Sequence, residues 1–293
     1  MNINWYPGHM AKTKRQIIED LKIMDMVVEI VDARIPRSSQ NPDMQPYLKD
    51  KTKLIILNKS DLADEKVNQQ WVDFYKKQGI TAVLADCNSG KGIQDILKQI
   101  EMLGKEQKAK MAAKGRIGKS TRMMIIGVPN VGKSSFINRI SKRTSAEVGN
   151  KPGVTRQKQW IRVGKEIELL DTPGVLWPKF QDEELALHLA FTGTIKDDIL
   201  PKIEIAYQLT KHLVEHDKEK LLARYAIEPA TVEEILAQED WMENEKIVEI
   251  MHIIGRKRGC LIAGGQVDDE KVASCILDDF RKGKIGRISL ERP

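Results

Sequence analysis

Cysteine is scarce, with only Cys87, Cys260 and Cys275 in 293 residues. An odd number without zinc-ligand spacing argues against a disulfide framework or a structural metal, and points to incidental or buried thiols in a reducing compartment. Long apolar runs are also absent. No stretch approaches the roughly 20 residues that span a bilayer, and Met1-Asn2-Ile3-Asn4-Trp5-Tyr6-Pro7-Gly8-His9 lacks the apolar core of a signal peptide. A cytoplasmic protein with no membrane partner is therefore expected. No internal repeat is evident. The composition, 41% hydrophobic and 31% charged, is that of a globular chain able to bury one large core or two modest ones. A net charge of +6 favours a nucleic-acid partner without requiring one.

Read in order, the first half alternates between two periodicities. Lys12 to Lys22 has the spacing of an amphipathic helix that follows a turn at Trp5 to Met10. Met26 to Val31, Leu54 to Leu57 and Thr81 to Ala85 are short, β-branched, apolar runs of the kind buried in a parallel sheet. The segment through Pro42 and Pro46 reads as an irregular loop, and helices are expected over Lys66–Lys77 and Ile93–Leu103. From Gly104 to Arg122 lysine and arginine accumulate against one acid, Glu106, which reads as a basic connector. A strand at Arg122 to Ile126 and a helix around Phe136 to Ile140 follow, and Gln159–Val163 with Glu166–Leu170 form a strand pair. Beyond Trp177 only helical spacing remains: Glu183–Thr192, Ile203–Glu215, Val232–Gln238 and Asn244–Ile254. The fold class predicted is α/β over residues 1–177, followed by a smaller all-helical domain over 178–293.

The chemistry-bearing stretch is Gly127-Val128-Pro129-Asn130-Val131-Gly132-Lys133-Ser134-Ser135, between a strand and a helix. G-x-x-x-x-G-K-S is the spacing of a phosphate cradle. The N–H groups of Asn130, Val131, Gly132, Lys133, Ser134 and Ser135 turn toward a phosphate at a helix N-terminus, Lys133 reaches the β/γ oxygens, and Ser134 can ligate Mg²⁺. Asn58-Lys59-Ser60-Asp61 directly follows a buried strand, where open α/β sheets place ligand groups. Asp61 there could accept from both the ring N1–H and the amine of guanine, a pair that adenine lacks. Asn58 would hold the loop and read the base edge, and the stem of Lys59 would lie over the ring. Asp171-Thr172-Pro173-Gly174 completes the set. Its Asp171 would hold Mg²⁺ through water, its Gly174 N–H would meet the γ-phosphate, and Thr155 would complete the metal shell.

These motifs together are those of a GTPase, but the base tetrapeptide precedes the phosphate loop, so the chain resembles a circularly permuted GTPase. Trp5-Tyr6-Pro7-Gly8-His9-Met10, Asp32-Ala33-Arg34-Ile35-Pro36, Asn58–Asp61, Pro152-Gly153-Val154-Thr155 and the helical second half resemble the ribosome biogenesis GTPase A family, the YlqF/RbgA type. The resemblance covers essentially the whole chain. It implies a monomeric enzyme that binds GTP and GDP with Mg²⁺, acts on the rRNA and proteins of the large (50S) ribosomal subunit late in its assembly, and is released after ribosome-stimulated hydrolysis. It also implies an RNA-binding role for the helical domain. The family's fifth element, usually Ser-Ala-Lys, falls at Asp86-Cys87-Asn88, where the residues differ but a backbone N–H contact to the base remains available.

One group is missing. Many GTPases orient the attacking water with Gln after the D-x-x-G glycine, and here Val175 stands in its place, so slow intrinsic turnover is expected. Two residues could compensate: His9, on a turn that the family shares, and Asn130, at the position that helps hold K⁺ in potassium-dependent GTPases. His9 could equally cap or pack the first helix, and Asn130 could be an ordinary loop residue. Two other functions compete on sequence alone: a GTP-regulated RNA- or protein-binding module with incidental hydrolysis, and an ATP-dependent enzyme if Asp61 is accidental.

Overall fold

A computed structural model describes residues 8–113, 115, 120–143, 159–163, 167–174, 176, 182–195 and 201–293, with side chains from residue 12 to 141 and beyond 159 in those segments. Two compact units result, one of residues 182–288 and one that joins residues up to 181 with 289–293. The last five residues thus pack with the first unit, not with the helices among which they were expected.

The first unit is a sheet with the order β3-β2-β1-β4-β6-β5 among the described residues. Its strands are β1 (Met26–Asp32), β2 (Thr52–Asn58), β3 (Thr81–Leu84), β4 (Thr121–Ile126), β5 (Gln159–Val163) and β6 (Ile167–Asp171). All neighbours are parallel except β5, which runs antiparallel to β6 at the edge. β1 is buried along its whole length, as its nearly continuous apolar run requires when both sheet faces are covered. The chain enters at the centre on β1, moves outward to β3, then crosses back to β4 on the other side of β1. β1 and β4 therefore flank the point where strand order reverses, the place at which parallel sheets leave a crevice at their carboxyl ends.

Helices connect these strands. α1 (Gly8–Leu21) begins earlier than its periodicity suggested and takes Gly8, His9 and Met10 out of the expected turn. A short helix α2 (Gln45–Leu48), with Pro46 in its first turn, interrupts the expected loop. α3 (Glu65–Lys77) is fixed at its start by Asp64, whose carboxylate accepts from the N–H groups of Lys66 and Val67. Its Trp71 and Tyr75 pack with Val31, Ile55 and Leu57 in one core. α4 (Ile93–Ala112) runs nine residues past its expected end, so Lys105, Lys108 and Lys110 are helical rather than part of a connector. α5 (Lys133–Arg143) follows the phosphate loop.

The second unit is helical: α6 (Glu183–Phe191), α7 (Lys202–His216), α8 (Lys218–Tyr225), α9 (Pro229–Leu236), α10 (Glu243–Arg258) and α11 (Asp269–Arg281). α8 and α11 were not anticipated. α8 is a two-turn helix, closed by Ala226 in the left-handed conformation (φ 51°). α11 starts where Asp268 accepts from the Lys271 N–H. α7 packs against α6, α8, α10 and α11, with Leu209, Leu213, Ile254 and Val272 fully buried. Buried Asp279 is held by Arg224 at 2.9 Å and Lys284 at 3.2 Å.

Ile55 lies in the central β2 and is fully buried. Ile55→Ala should cost about 2–5 kcal/mol, read as a lower urea midpoint for the first unit.

Candidate active site

The carboxyl ends of β1, β2, β3, β4 and β6 bring their loops together, and one side chain at the end of β2 joins two of them. Asn58, the last residue of β2, donates from Nδ2 to the Val131 carbonyl at 2.6 Å, and its Oδ1 accepts from the Cys87 N–H at 2.9 Å. It is buried, with both ends of its amide bonded to these two loops. A Cβ on Gly132 would lie 2.2 Å from the same Nδ2, and this glycine has φ +100°, so both space and backbone demand glycine. A Cβ on Gly127 would lie 2.5 Å from the Ile30 carbonyl: the phosphate loop runs hard against β1.

Lys133 opens α5 and is largely buried. Its Nζ donates to the carbonyls of Gly127 at 2.9 Å and Val128 at 3.0 Å, so the amine curls over its own loop. Burial pushes its pKa down to about 8, against the opposing pull of the Asp171 carboxylate. From the other side, Thr172 Oγ1 donates to the Ile125 carbonyl at 2.6 Å and ties the end of β6 to β4. A Cβ on Gly174 would stand 2.8 Å from Lys133 Nζ and 3.0 Å from Pro129, which sets the D-x-x-G glycine directly against the phosphate loop. Ser134 is exposed at the start of α5, and Asp171 is buried at the end of β6. Asn130 holds φ +60°, a conformation that asparagine tolerates better than most residues. Thr155 and Val175 lie outside the described residues, as does the side chain of His9.

The loop after β3 differs from expectation. The Cys87 N–H is committed to Asn58, the Asp86 N–H to the Lys91 carbonyl, and the Asn88 N–H to Asp86 Oδ1 at 2.9 Å. Asp86 and Cys87 therefore brace the loop. Burial alone would raise the Asp86 carboxyl, but hydrogen bonds from Ser89 and Asn88 hold it below the usual range. Burial pushes the Cys87 thiol up to about 12, which makes it inert. Arg139, one face of α5 away from the phosphate loop, donates to the carbonyls of Cys87 and Asn88. It carried no sequence signal, because its partners are backbone atoms.

Lys59 is held by a group that spacing alone did not assign. Its Nζ lies 2.9 Å from Asp32 Oδ2, and buried Arg34 grips the same carboxylate through Nε at 3.0 Å and Nη2 at 2.8 Å. Burial by itself would raise the Asp32 pKa, yet Arg34 and Lys59 hold it far below the carboxylate range. Lys59 itself has φ +59°. Asp61 is exposed beyond it, in a turn closed by the Leu62 N–H on the Lys59 carbonyl at 2.9 Å.

This arrangement can cradle phosphates over α5 and present a carboxylate to a base between the turns after β2 and β3. A protein-family model described as "50S ribosome-binding GTPase" matches residues 122–248. The ribosome biogenesis GTPase A of Bacillus cereus is 43% identical over 293 residues, spanning 100% of this chain and 95% of that protein. That of Priestia megaterium is 45% identical over 294 residues, spanning 100% and 98%. The chain belongs to the ribosome biogenesis GTPase A family. It is a GTP-hydrolysing enzyme that acts in ribosome assembly. A solved structure of GNP-bound YlqF from Thermotoga maritima is similar over 96% of this chain and 98% of that one, at 29% identity and a TM-score of 0.65. As in a permuted GTPase, the family model starts only at Arg122, and the base tetrapeptide on β2 lies upstream of it.

The shifted amine of Lys133 gives a test. A nearby anion raises its pKa, so above pH 8 nucleotide binding must take up a proton, whereas below pH 8 the amine is charged in both states. GDP affinity measured by titration should be nearly flat from pH 7 to 8 and then weaken by up to about tenfold per unit. An affinity that stays level to pH 9 would show that the amine never loses its proton.

Proposed function

We propose that this GTPase binds the immature large ribosomal subunit in its GTP state, promotes a late maturation step, and leaves after hydrolysis stimulated by that particle. The observation that carries the reading is the convergence through Asn58 of the base turn, the bracing loop and the phosphate loop, in a chain whose relatives are named for ribosome biogenesis. Asp61 accepts from the guanine N1–H and amine, with Asn58, Lys59 and Ser60 holding its turn. Asn130, Val131, Gly132, Ser134 and Ser135 surround the phosphates, and Gly174 meets the γ-phosphate. Lys133 leaves its two carbonyl partners for the β/γ oxygens, a stronger, charge-assisted contact.

Mg²⁺ fits this donor set. Ser134 would offer a hydroxyl and Asp171, buried and close enough to influence Lys133, a carboxylate acting through water; with Thr155 they would give the oxygen donors this hard cation requires. When bound, the ion neutralises charge that develops on the phosphate oxygens. The chain's own contribution is to hold the triphosphate in line and exclude water around Lys133. Val175 gives the nucleophilic water no hydrogen-bond partner, so completion falls to His9, to K⁺ at Asn130, or to the ribosomal particle. Arg256, Lys257 and Arg258, exposed at the end of α10, suit the helical unit to RNA.

The decisive experiment is GTP hydrolysis with and without purified large subunits: slow turnover alone and strong stimulation by the subunit are expected, while equal rates would leave a binding module whose hydrolysis is incidental. Asp61→Asn should cut GDP affinity at least a hundredfold, because the new amide N–H faces the guanine amine. Equal competition by ATP and GTP against the unmodified protein would remove guanine from the assignment. His9→Ala should leave GDP affinity intact and lower subunit-stimulated turnover roughly ten- to ten-thousand-fold. Full stimulation in that variant would make His9 structural.

A further inference from the structure

Residues 289–293 return to the first unit and dock on the loop after β1 and on the residue that ends the base turn. The Leu290 N–H donates to the Arg34 carbonyl at 2.9 Å, directly behind the guanidinium that grips Asp32 and so indirectly fixes Lys59. Glu291 is the anchor. Its carboxylate accepts from the N–H groups of Arg37 at 2.6 Å and Ser38 at 3.0 Å and from the Ser38 hydroxyl, and its carbonyl accepts from Trp71 Nε1 at 3.3 Å. On the opposite side, Ser289 Oγ accepts from the N–H of Asp64, the residue that caps α3 and stands three positions after Asp61. The turn that carries Asp61 is thus clamped from both ends: by Lys59 on Asp32 at its start, and by Ser289 on Asp64 at its finish.

We infer that Ser289, Leu290 and Glu291 form a positioning strap for the guanine-reading turn, so that guanine affinity and selectivity depend on a segment outside every nucleotide motif. The inference rests on the placement of guanine at Asp61. Its physical basis is that Asp61 itself is exposed and reads the base from a short turn whose strand side is fixed, while its helix side is fixed by Asp64. A carboxylate must be held to within a fraction of an ångström to accept two parallel N–H bonds, and binding is lost when such a group has to be ordered by the ligand. The strap also has a consequence for the helical unit. Residues 182–288 leave the first unit shortly after the D-x-x-G element and rejoin it at the base turn, so both covalent tethers of that unit end on nucleotide-reading elements. Displacement of the helical unit by a bound partner would then pull on the base turn, which links partner binding to nucleotide release.

The test measures equilibrium binding of fluorescent GDP and IDP, which differ only in the exocyclic amine that Asp61 accepts, to the full chain carrying Glu291→Ala, Ser289→Ala or both. Asp61→Asn is the control, and thermal unfolding checks each fold. Glu291→Ala is expected to weaken GDP roughly tenfold and to narrow the preference for GDP over IDP, with Ser289→Ala smaller and the pair largest. Glu291→Gln, which keeps one acceptor oxygen in place, should recover part of the loss. Unchanged GDP affinity and preference in the double variant, beside a large loss in Asp61→Asn, would overturn the strap while leaving the base site standing. Equal weakening of GDP and IDP would also overturn it, since a misplaced Asp61 loses two N–H partners on GDP but only N1–H on IDP. If Asp61→Asn keeps full preference for GDP, the guanine placement itself is wrong and the strap falls with it.

Discussion

The amide of Asn58 has two hydrogen-bonding ends, and each is spent on a loop distant in sequence: the nitrogen on Val131, the oxygen on Cys87. A buried amide with both ends satisfied is stable only in one arrangement of its partners, because losing either bond leaves an unpaired polar atom at a cost of about 1–3 kcal/mol. The phosphate loop, the loop after β3 and the end of β2 therefore stand or fall together. Gly132 is glycine for the same reason, since any Cβ would occupy the space of that nitrogen. Arg139 repeats the tie from α5. The base of the proposed nucleotide site is thus braced by bonds within the protein itself.

Around this rigid joint the protein stores unfavourable features that its packing holds in place. Lys59 and Asn130 adopt positive φ without being glycine, at a cost of order 1 kcal/mol or more each. Asp32 is a fully buried carboxylate, tolerated because Arg34 and Lys59 meet its oxygens and the Arg34 N–H adds a further bond at 3.1 Å. Lys59, Asn130 and Asp32 sit within a few residues of loops assigned to the nucleotide. Such concentration is what a site needs if its geometry is to precede the ligand rather than be made by it.

Permuted order changes what the chain ends can do without changing the sheet. The base turn lies at the carboxyl end of β2 and the phosphate loop at that of β4, separated only by β1. Strand order decides that proximity; chain order does not. What permutation alters is the exit: the chain leaves the sheet after β6, directly from the D-x-x-G element, into the helical unit.

The residue types and spacings of the phosphate loop, the base tetrapeptide and the D-x-x-G element were legible in sequence because each is a local device: a glycine where backbone must approach, a lysine at a helix start, an acid after a buried strand. β1 to β6 and most helices were legible for the same reason, since periodicity is a property of neighbours. Helix extents were less so. α4 continued through Lys105–Lys110 because charged residues with long stems are good helix formers, and α8 is too short to show a period. What only the tertiary structure decided is which remote atoms meet. Cys87 gives its N–H to Asn58 rather than to a base, Arg34 and Lys59 share one carboxylate, and Glu291 binds Ser38 across a sequence separation of 253. The physical reason is that these bonds join backbone and side-chain groups through the order of strands in a sheet, and strand order is set by long-range pairing that no local spacing records.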